Sequence, residues 1–531
     1  MAYYYDLREY IKTLEEQGHL VRIHRAINKD TEIHPLVRWQ FRGLPEEKRK
    51  AFLFDNVIDA KGRKYAGQVA VALLGASDAV YALAMQCPQS EIFSRWVEAQ
   101  RNPIEPVLVE SGPAQEEIHM GAELDLPGGG LEEFPIPIST PGFDPSPYIT
   151  SPYVITKDPE TGKRNVGTYR VMIKGRTKTG MFVSNTQHLG IHWEKCKALG
   201  KDLEAAICLG SVPAVGLCSV AKFSYGVDEL AVAGGIAGEP IPLVKCKTVD
   251  LEVPATSEIV IEGKITTQFA EPEAPFGELS GYMGERVVFP YFEVTCITHR
   301  KDPIYQSFIS QFPPSESSKI RKLSREGAYF KLLKYDCNIP GIMDVVFHEG
   351  SGSSTIVVIQ MKKTNNGQPW QALNSAIGFD SRFGKIIIAV DDDINPHNID
   401  TVMWALAYRV QPHLDLRITM GRYSVLDPSS APLDSSLEER LFPSPRGNSA
   451  LLIDATRKWP YPPTSLPGRE FMENAKKIWE EEGLPSLTPQ EPWFGVSLGF
   501  WTAENVEEAA LAVRGEYYKT AEKLAKQKTR I

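Results

Sequence analysis

The chain has 531 residues, of which 42% are hydrophobic and 24% charged, and a formal net charge of −9 at pH 7. This is the composition of a soluble globular protein with room for about three folding units of roughly 150 residues. The acidic balance argues against a nucleic-acid or anionic-membrane partner, which needs a broad basic surface, although a small basic pocket is compatible with it.

No apolar run approaches the ~20 residues that span a bilayer, and the polar, amphipathic opening MAYYYDLREYIKTLEEQ does not read as a signal peptide. Seven cysteines without any C-x-x-C spacing read as reduced, mostly buried thiols of a cytoplasmic protein and argue against a zinc or iron–sulfur site built on cysteine.

In chain order, the first element is a helix. Asp6 caps it, Leu7, Tyr10, Ile11 and Leu14 form one apolar face, and Gly18 ends it. LVRIH then reads as a strand. QVAVALLGAS and DAVYALAM read as a strand, a glycine-containing turn and a helix, which makes an α/β unit over residues 1–110. The Pro- and Gly-rich LPGGGLEEFPIPISTPGFDPSPYITSPYV predicts an ordered loop crossing into a second unit, 111–315, dominated by strands. There AVGLCSVAKF reads as a strand, TSEIVIEGKI and YFEVTCITHR alternate apolar and polar residues, and KDP joins the latter to IYQSFI as a hairpin. Many strands with few helical patterns suggest a β-barrel or a closed sheet.

Ile320, Leu323, Gly327 and Phe330 recur at helical spacing and predict a connecting helix over 316–335. A third unit, 336–490, returns to α/β, with DVVFHEG, TIVVIQM and GKIIIAVDDDI as strands and NIDTVMWALAYRV as a helix. Residues 491–531 form a helical arm, read as one helix whose Val506, Ala510, Val513, Tyr517 and Leu524 lie near a heptad seam. The Pro-rich strap before it, KWPYPPTSLPG to SLTPQEPWFG, is of a kind that packs on a neighbouring subunit or on its own domain, and the subunit is favoured.

NVGTYRVMIKGRTKTGMFVSNTQHLGIHW, from Asn165, gathers polar groups suited to a metal, a phosphate and a carboxylate. His188 and His192 are four apart and would share a helical face able to bind one metal, but no HExxH glutamate accompanies them. Local hydrogen bonding explains such a pair equally well, Arg170 reads alone as a surface strand residue, and Asn165 as a turn former. AEPEAPFGELSGY holds Glu273 and Glu278 in a constrained loop beside Phe276, where two carboxylates can have their proton affinities pushed apart for acid/base work. Acidic loops are more often simply solvated. Asp228 and Glu229 enter a small-residue helix, where N-terminal charge is the plain explanation. The GxSxG, P-loop and dinucleotide fingerprints are absent, and no triad is visible.

Taken in order, RNVGTYR, TQHLG, DELAVAGGIAGEP, EAPFGELSGY and RFGKIIIAVDDDINPHNIDTVMWALAYR resemble the UbiD family of reversible decarboxylases, from the first helix to the WPYPP strap. The resemblance implies a multidomain α/β (α+β) fold: an N-terminal α/β part, a central split β-barrel of flavin-reductase type, a linker helix and a C-terminal α/β oligomerisation domain. It implies prenylated FMN as cofactor, supplied by a flavin prenyltransferase, with a divalent metal (Mn2+, Mg2+ or another) and K+. It also implies a homo-oligomer, dimer or hexamer, with the active site between the barrel and the C-terminal domain.

Carried over residue by residue, Asn165, His188 and Glu229 hold the divalent metal against the cofactor phosphate. Gln187 hydrogen-bonds the phosphate, and Lys385 is a weaker candidate for the same contact. K+ falls on the carbonyls of Cys218, Ser219, Val220 and Ala221, with Glu229 nearby. The catalytic network is Arg170, Glu273 and Glu278: Arg170 orients the substrate carboxylate, Glu278 delivers the proton, and Glu273 supports the ion pair. His192 has no implied role.

The implied reaction is loss of CO2 from an aromatic carboxylic acid, with a substituted benzoate preferred, through a covalent adduct with prenylated FMN. A larger, fused or heteroaromatic acid, or an aryl-CoA thioester, stays open, as does net carboxylation. A flavin-binding reductase and a non-catalytic carboxylase subunit are the readings from other classes. One geometric demand follows. Asn165 and Arg170 are five apart and point to opposite faces of a regular strand, so both serve one site only if Asn165 lies in the preceding turn or the strand is bulged.

Overall fold

Asp6 opens the first helix, Leu7–Glu16, by accepting from the Glu9 N–H at 2.9 Å. The helix buries the expected Leu7, Tyr10, Ile11 and Leu14, and Gly18 leaves it at φ +73°. The Tyr10 hydroxyl donates to Leu73 O at 2.7 Å, docking the helix on the glycine-containing turn that follows strand Gln68–Val71. The computed structural model describes residues 2–184, 187–284, 286–310, 312–380, 382–422, 426–430 and 448–527. Among them no helix is long and apolar enough to cross a membrane.

The N-terminal sheet has the order Leu20–Ile23, Ala51–Phe54, Gln68–Val71 and Ile304–Ser307. The last strand corrects the expected hairpin. After Val287–His299 the chain does not fold back in register; Ile304–Ser307 instead pairs parallel with Gln68–Val71. All four of its residues are buried, as a strand covered on both faces of a parallel pairing requires.

The central unit is built on a seven-stranded sheet. Its order is Arg164–Gly167, Tyr153–Lys157, Leu203–Leu209, Ile259–Glu273, Val287–His299 and Lys178–Gly180, with Glu117–Met120 also paired to Val287–His299. The pairings found among the described residues form an open path. The two long strands shift register between Glu262 and Gly263 and again between Ile265 and Ala270. Gly263 is required there, because a Cβ would lie 1.9 Å from Glu293 O. AVGLCSVAKF is not the expected strand: Pro213–Val220 is a helix with proline at its first turn. It is apolar all round and almost wholly buried, so its sequence carries no amphipathic period by which to tell helix from strand.

The connecting helix spans Glu316–Lys331 and passes into a π-helical turn, Leu332–Asp336. It leads to a five-stranded sheet ordered Ile342–Phe347, Ile356–Met361, Ile386–Asp391, Asn448–Ala455 and Leu416–Arg422, with parallel pairings at its centre. The arm differs from the expected single helix. Gly515, at φ +77°, ends Ala503–Val513, and a second helix follows at Tyr517–Ala525. The Pro-rich strap holds a helix of its own, Arg469–Glu481. The architecture as a whole is the mixed α/β multidomain fold expected from the sequence.

Candidate active site

A cavity of about 490 Å³ is lined from the central unit by residues such as Asn165, Arg170 and Glu278, and from the C-terminal unit by Ser354, Phe383 and Lys385. The linker helix lends Arg321 and Arg325 to the same wall. The demand on Asn165 and Arg170 is met in a third way. Asn165 lies within strand Arg164–Gly167, and the chain then leaves that ladder over residues 168–170 before Val171–Met172 pairs with Tyr148–Ile149 in a separate two-stranded sheet. Thr168 fills the break, its N–H donating to Ser219 O at 2.9 Å and its hydroxyl 3.0 Å from that of Ser219. Both Asn165 and Arg170 therefore line one cavity.

Arg170 binds two carboxylates. Its Nε–H donates to Glu273 Oε1 at 2.7 Å, and its Nη1 donates to Glu278 Oε1. Its guanidinium lies 4.7 Å from the Phe182 ring centre and 5.9 Å from that of Phe276. Glu273 is fully buried, and its Oε2 has no hydrogen-bond partner. Burial raises its proton affinity, opposed by the Arg170 charge and supported by Glu278. Burial works against the Arg170 charge, but Glu278 and Glu273 more than restore it. Gly180 leaves room for this carboxylate, since a Cβ would sit 3.0 Å from Glu273 Oε2. Glu278 lines the cavity and Glu273 stands behind it.

The remaining expected residues line the same cavity. Asn165 spends its Nδ2 on the Tyr169 hydroxyl at 3.3 Å, so its Oδ1 is turned to other use. Glu229 opens helix Glu229–Ala237, accepts from Val166 N–H at 2.8 Å, and is pushed up to about 8 by burial. His188 opens helix His188–Ala198 and is brought down to about 4 by burial and by the nearby Lys222 and Arg382, so it is a neutral imidazole. Gln187 stands at the N-cap position of that helix without a side-chain cap bond, and its buried Oε1 has no partner among the described residues. Lys385 lines the cavity with its Nζ held by Asp427 at 2.7 Å and Ser429 at 2.6 Å. His192 is outside the cavity, bonded to Thr156 Oγ1 at 2.9 Å, which is the local hydrogen bonding anticipated for it.

Sequence reasoning missed Arg321 and Arg325. Both line the cavity; Arg321 Nη1 is buried without a partner, and Arg325 donates to Ser353 O at 2.5 Å over the Phe383 ring. The signal was two arginines at i and i+4 on a helix whose neighbouring positions are core, a spacing that puts both on one face.

Two carboxylates sharing one arginine beside a cavity are groups that acid/base chemistry can use. Sequence comparison gives the family. Residues 11–100, 107–313 and 319–455 match, in turn, the N-terminal, Rift-related and C-terminal domains of 3-octaprenyl-4-hydroxybenzoate carboxy-lyase. The chain belongs to the UbiD family and is an enzyme of the carboxy-lyase class. It is 31% identical to an uncharacterised protein of Aquifex aeolicus strain VF5, over 91% of this chain and 100% of that one. An evolved dimeric form of the UbiD-class enzyme HmfF from Pelotomaculum thermopropionicum, in complex with prenylated FMN (prFMN), is 31% identical, with a TM-score of 0.71 over 86% of this chain and 95% of that one. The closed form of vanillic acid decarboxylase from Sedimentibacter hydroxybenzoicus is 26% identical, with a TM-score of 0.76 over 90% of this chain and all of that one.

Proposed function

We propose that this protein catalyses the reversible, non-oxidative decarboxylation of an aromatic carboxylic acid, with a substituted benzoate as the favoured substrate and prenylated FMN as cofactor. The observation that carries the reading is the Arg170 guanidinium held by two carboxylates, Glu273 buried behind it and Glu278 at the cavity wall. A flavin reductase has no need of such a cluster. The similarity to prFMN-bound HmfF and to vanillic acid decarboxylase supports both the cofactor and the aromatic acid.

The residues present fit the cofactor and its metal. Gln187 Oε1 is a buried atom in want of a partner, and Asn165 Oδ1, neutral His188 and the Glu229 carboxylate make an oxygen–nitrogen–oxygen set suited to Mn2+ or Mg2+. We assign these three to the metal, Gln187 to the phosphate, and Lys385 to a contact it would share with Asp427. For K+ we assign the Cys218–Ala221 turn; Cys218 O and Ser219 O there already accept one N–H each and retain a second lone pair. Bound there, prenylated FMN would supply the electron sink that carboxylate loss requires.

The protein's own groups do the rest. Arg170 meets the substrate carboxylate, and the aromatic walls of Phe182 and Phe276 keep water from it. One proton shared by Glu273 and Glu278 leaves the cluster with Arg170 neutral, and Glu278, facing the cavity, passes that proton to the carbon that has lost CO2. The unpartnered N–H of Arg321 favours a ring that carries a hydrogen-bond acceptor over a bare one.

The test is anaerobic purification from cells that also make a flavin prenyltransferase, with an absorbance spectrum and the mass of the released cofactor. Prenylated FMN, followed by CO2 release or hydrogen–deuterium exchange on substituted benzoates, is expected. Unmodified FMN, or no flavin beside an active prenyltransferase, would return the protein to a reductase or an assembly subunit.

A further inference from the structure

We propose that His119, His299 and Glu133 form a metal site, separate from the cavity, for Zn2+ or another late first-row divalent ion. None of the three lines the cavity.

Three elements bring them together. Strand Glu117–Met120 pairs antiparallel with the end of Val287–His299, with Ile297 opposite His119 and Glu117 opposite His299. The two histidines are thus diagonal neighbours on one face of the sheet. Their rings stack 5.2 Å apart at 11°, and their Nε2 atoms are 3.1 Å apart. Glu133, at the end of the short helix Gly130–Glu133, brings Oε1 to 3.3 Å from His299 Nε2. Ligand atoms bound tetrahedrally at ~2.0–2.1 Å stand about 3.3 Å from one another, so His299 is at ligand spacing from both His119 and Glu133, and all three ligand atoms lie within 4.8 Å of one another.

The far side of the His299 ring sets which of its nitrogens faces the site. His299 Nδ1 is 2.8 Å from Arg300 O, a carbonyl that can only accept, so Nδ1 carries the hydrogen and Nε2 presents its lone pair inward. His119 Nδ1 faces Glu123 Oε2 at 3.9 Å, a carboxylate standing behind a ligand imidazole. With His119 in the same form, two lone pairs and a carboxylate converge on one point and a cation would sit among them; with its Nε2 protonated, His119 instead donates to His299 Nε2. The choice is between a proton, which makes a His299 imidazolium–Glu133 pair, and a metal ion. Two imidazoles and a carboxylate suit zinc and its neighbours. His299 is buried, with the Phe134 ring edge-on at 5.5 Å, while His119 and Glu133 are half-buried and leave the fourth position open to water. The ion would tie the segment before the Pro-rich loop to the long central strand.

The test uses the full chain after chelator treatment, titrated with Zn2+ against a chromophoric chelator and separately with Co2+. His119→Ala removes a ligand whose side chain is 33% exposed, so folding is kept. Wild type should bind one Zn2+ per chain more than His119→Ala, and His188→Ala, which lacks the cavity ligand, one more than the double variant His119→Ala/His188→Ala. Glu133→Gln should weaken that ion by about tenfold or more. Bound Co2+ should show the visible d–d bands of a four-coordinate site without sulfur charge transfer, and lose them in His119→Ala. Equal zinc stoichiometry in wild type and His119→Ala, or no zinc in either at micromolar free metal, would overturn the site and leave the proton as its occupant.

Discussion

Arg170 holds Glu273 by one Nε–H···Oε1 bond of 2.7 Å, and the second oxygen of that buried carboxylate meets no donor among the described residues. A half-satisfied buried carboxylate holds its proton more tightly than an exposed one, and burial does raise Glu273 above the ordinary range. Glu278, on the same guanidinium, opens to the cavity. The pair thus has one member that keeps a proton and one that can deliver it.

From this, Glu278→Gln should retain flavin and lose turnover by about 10²–10⁴-fold, the usual range for a missing general acid. Glu273→Gln should be milder and should move the pH profile. In wild type burial keeps Glu273 in its acid form above the ordinary carboxylate range, so kcat should fall on an alkaline limb beyond that range. Removing Glu273 removes the raised member and should shift that limb to lower pH. Turnover against pH for the two variants, at matched flavin content, checks both. Near-normal turnover of Glu278→Gln would sink the proton-donor role.

His188 sits at the N-terminus of its helix as a neutral ring, ready to ligate without first losing a proton. His188→Ala should therefore lower divalent-metal content and flavin occupancy together while leaving the thermal unfolding of the apoprotein nearly unchanged. Elemental analysis and the flavin-to-protein absorbance ratio read this directly. Full flavin occupancy in the purified variant would count against the metal assignment.

Much of this was legible in the residues. The cap and apolar face of Leu7–Glu16 follow from Asp6 and a 3.6-residue period, and the C-terminal strands from runs such as TIVVIQM. The candidate site residues were not legible one by one and came only from the resemblance of the ordered motifs to a family; Asn165, Arg170, Gln187, His188, Glu229, Glu278 and Lys385 line one cavity. What was not legible depends on contacts far apart in the chain. IYQS pairs with a strand more than two hundred residues earlier, and a local hairpin signal cannot compete with that. Pro213–Val220 is buried on all sides, so it has no polar face to mark its period. His119 and His299 are 180 residues apart and meet only through sheet register.

His34 tests the acid side of stability. It is fully buried, with Nε2 at 2.9 Å from Ser307 Oγ and Nδ1 at 3.3 Å from Ser139 O, and burial, aided by Arg38, brings it down to about 3. The unfolded chain takes up a proton near pH 6.5 that the folded chain refuses. The stability this neutral ring contributes is complete above pH 6.5 and is lost as pH falls toward 3, by about 1.4 kcal/mol per pH unit. Urea midpoints measured between pH 7 and 4.5 should decline with pH, and His34→Asn should flatten the slope by about one proton. An unchanged slope would show that His34 is not the group responsible.

Glu316 gives the last prediction. It begins the linker helix, fully buried, and its carboxylate accepts three backbone N–H groups: Ala72 at 3.0 Å, and Leu74 and Ile309 at 3.2 Å each. Ala72 is held at φ +62°, a conformation that the carboxylate bond helps to keep. One side chain thereby joins the linker helix to the N-terminal sheet, on the path between the first unit and the cavity wall that carries Arg321. Glu316→Gln is nearly isosteric, yet it turns an NH2 toward an N–H donor that has nothing else to bind. With the amide oxygen in the place of Oε2, Ala72 and Ile309 keep their bonds and the Leu74 N–H is left facing NH2, so one unsatisfied donor puts the expected loss at about 1–3 kcal/mol, above that of a surface Glu→Gln. Glu316→Ala should cost at least as much. Chemical denaturation followed by far-UV circular dichroism measures it, and a loss below about 1 kcal/mol would mean that these N–H groups find other partners.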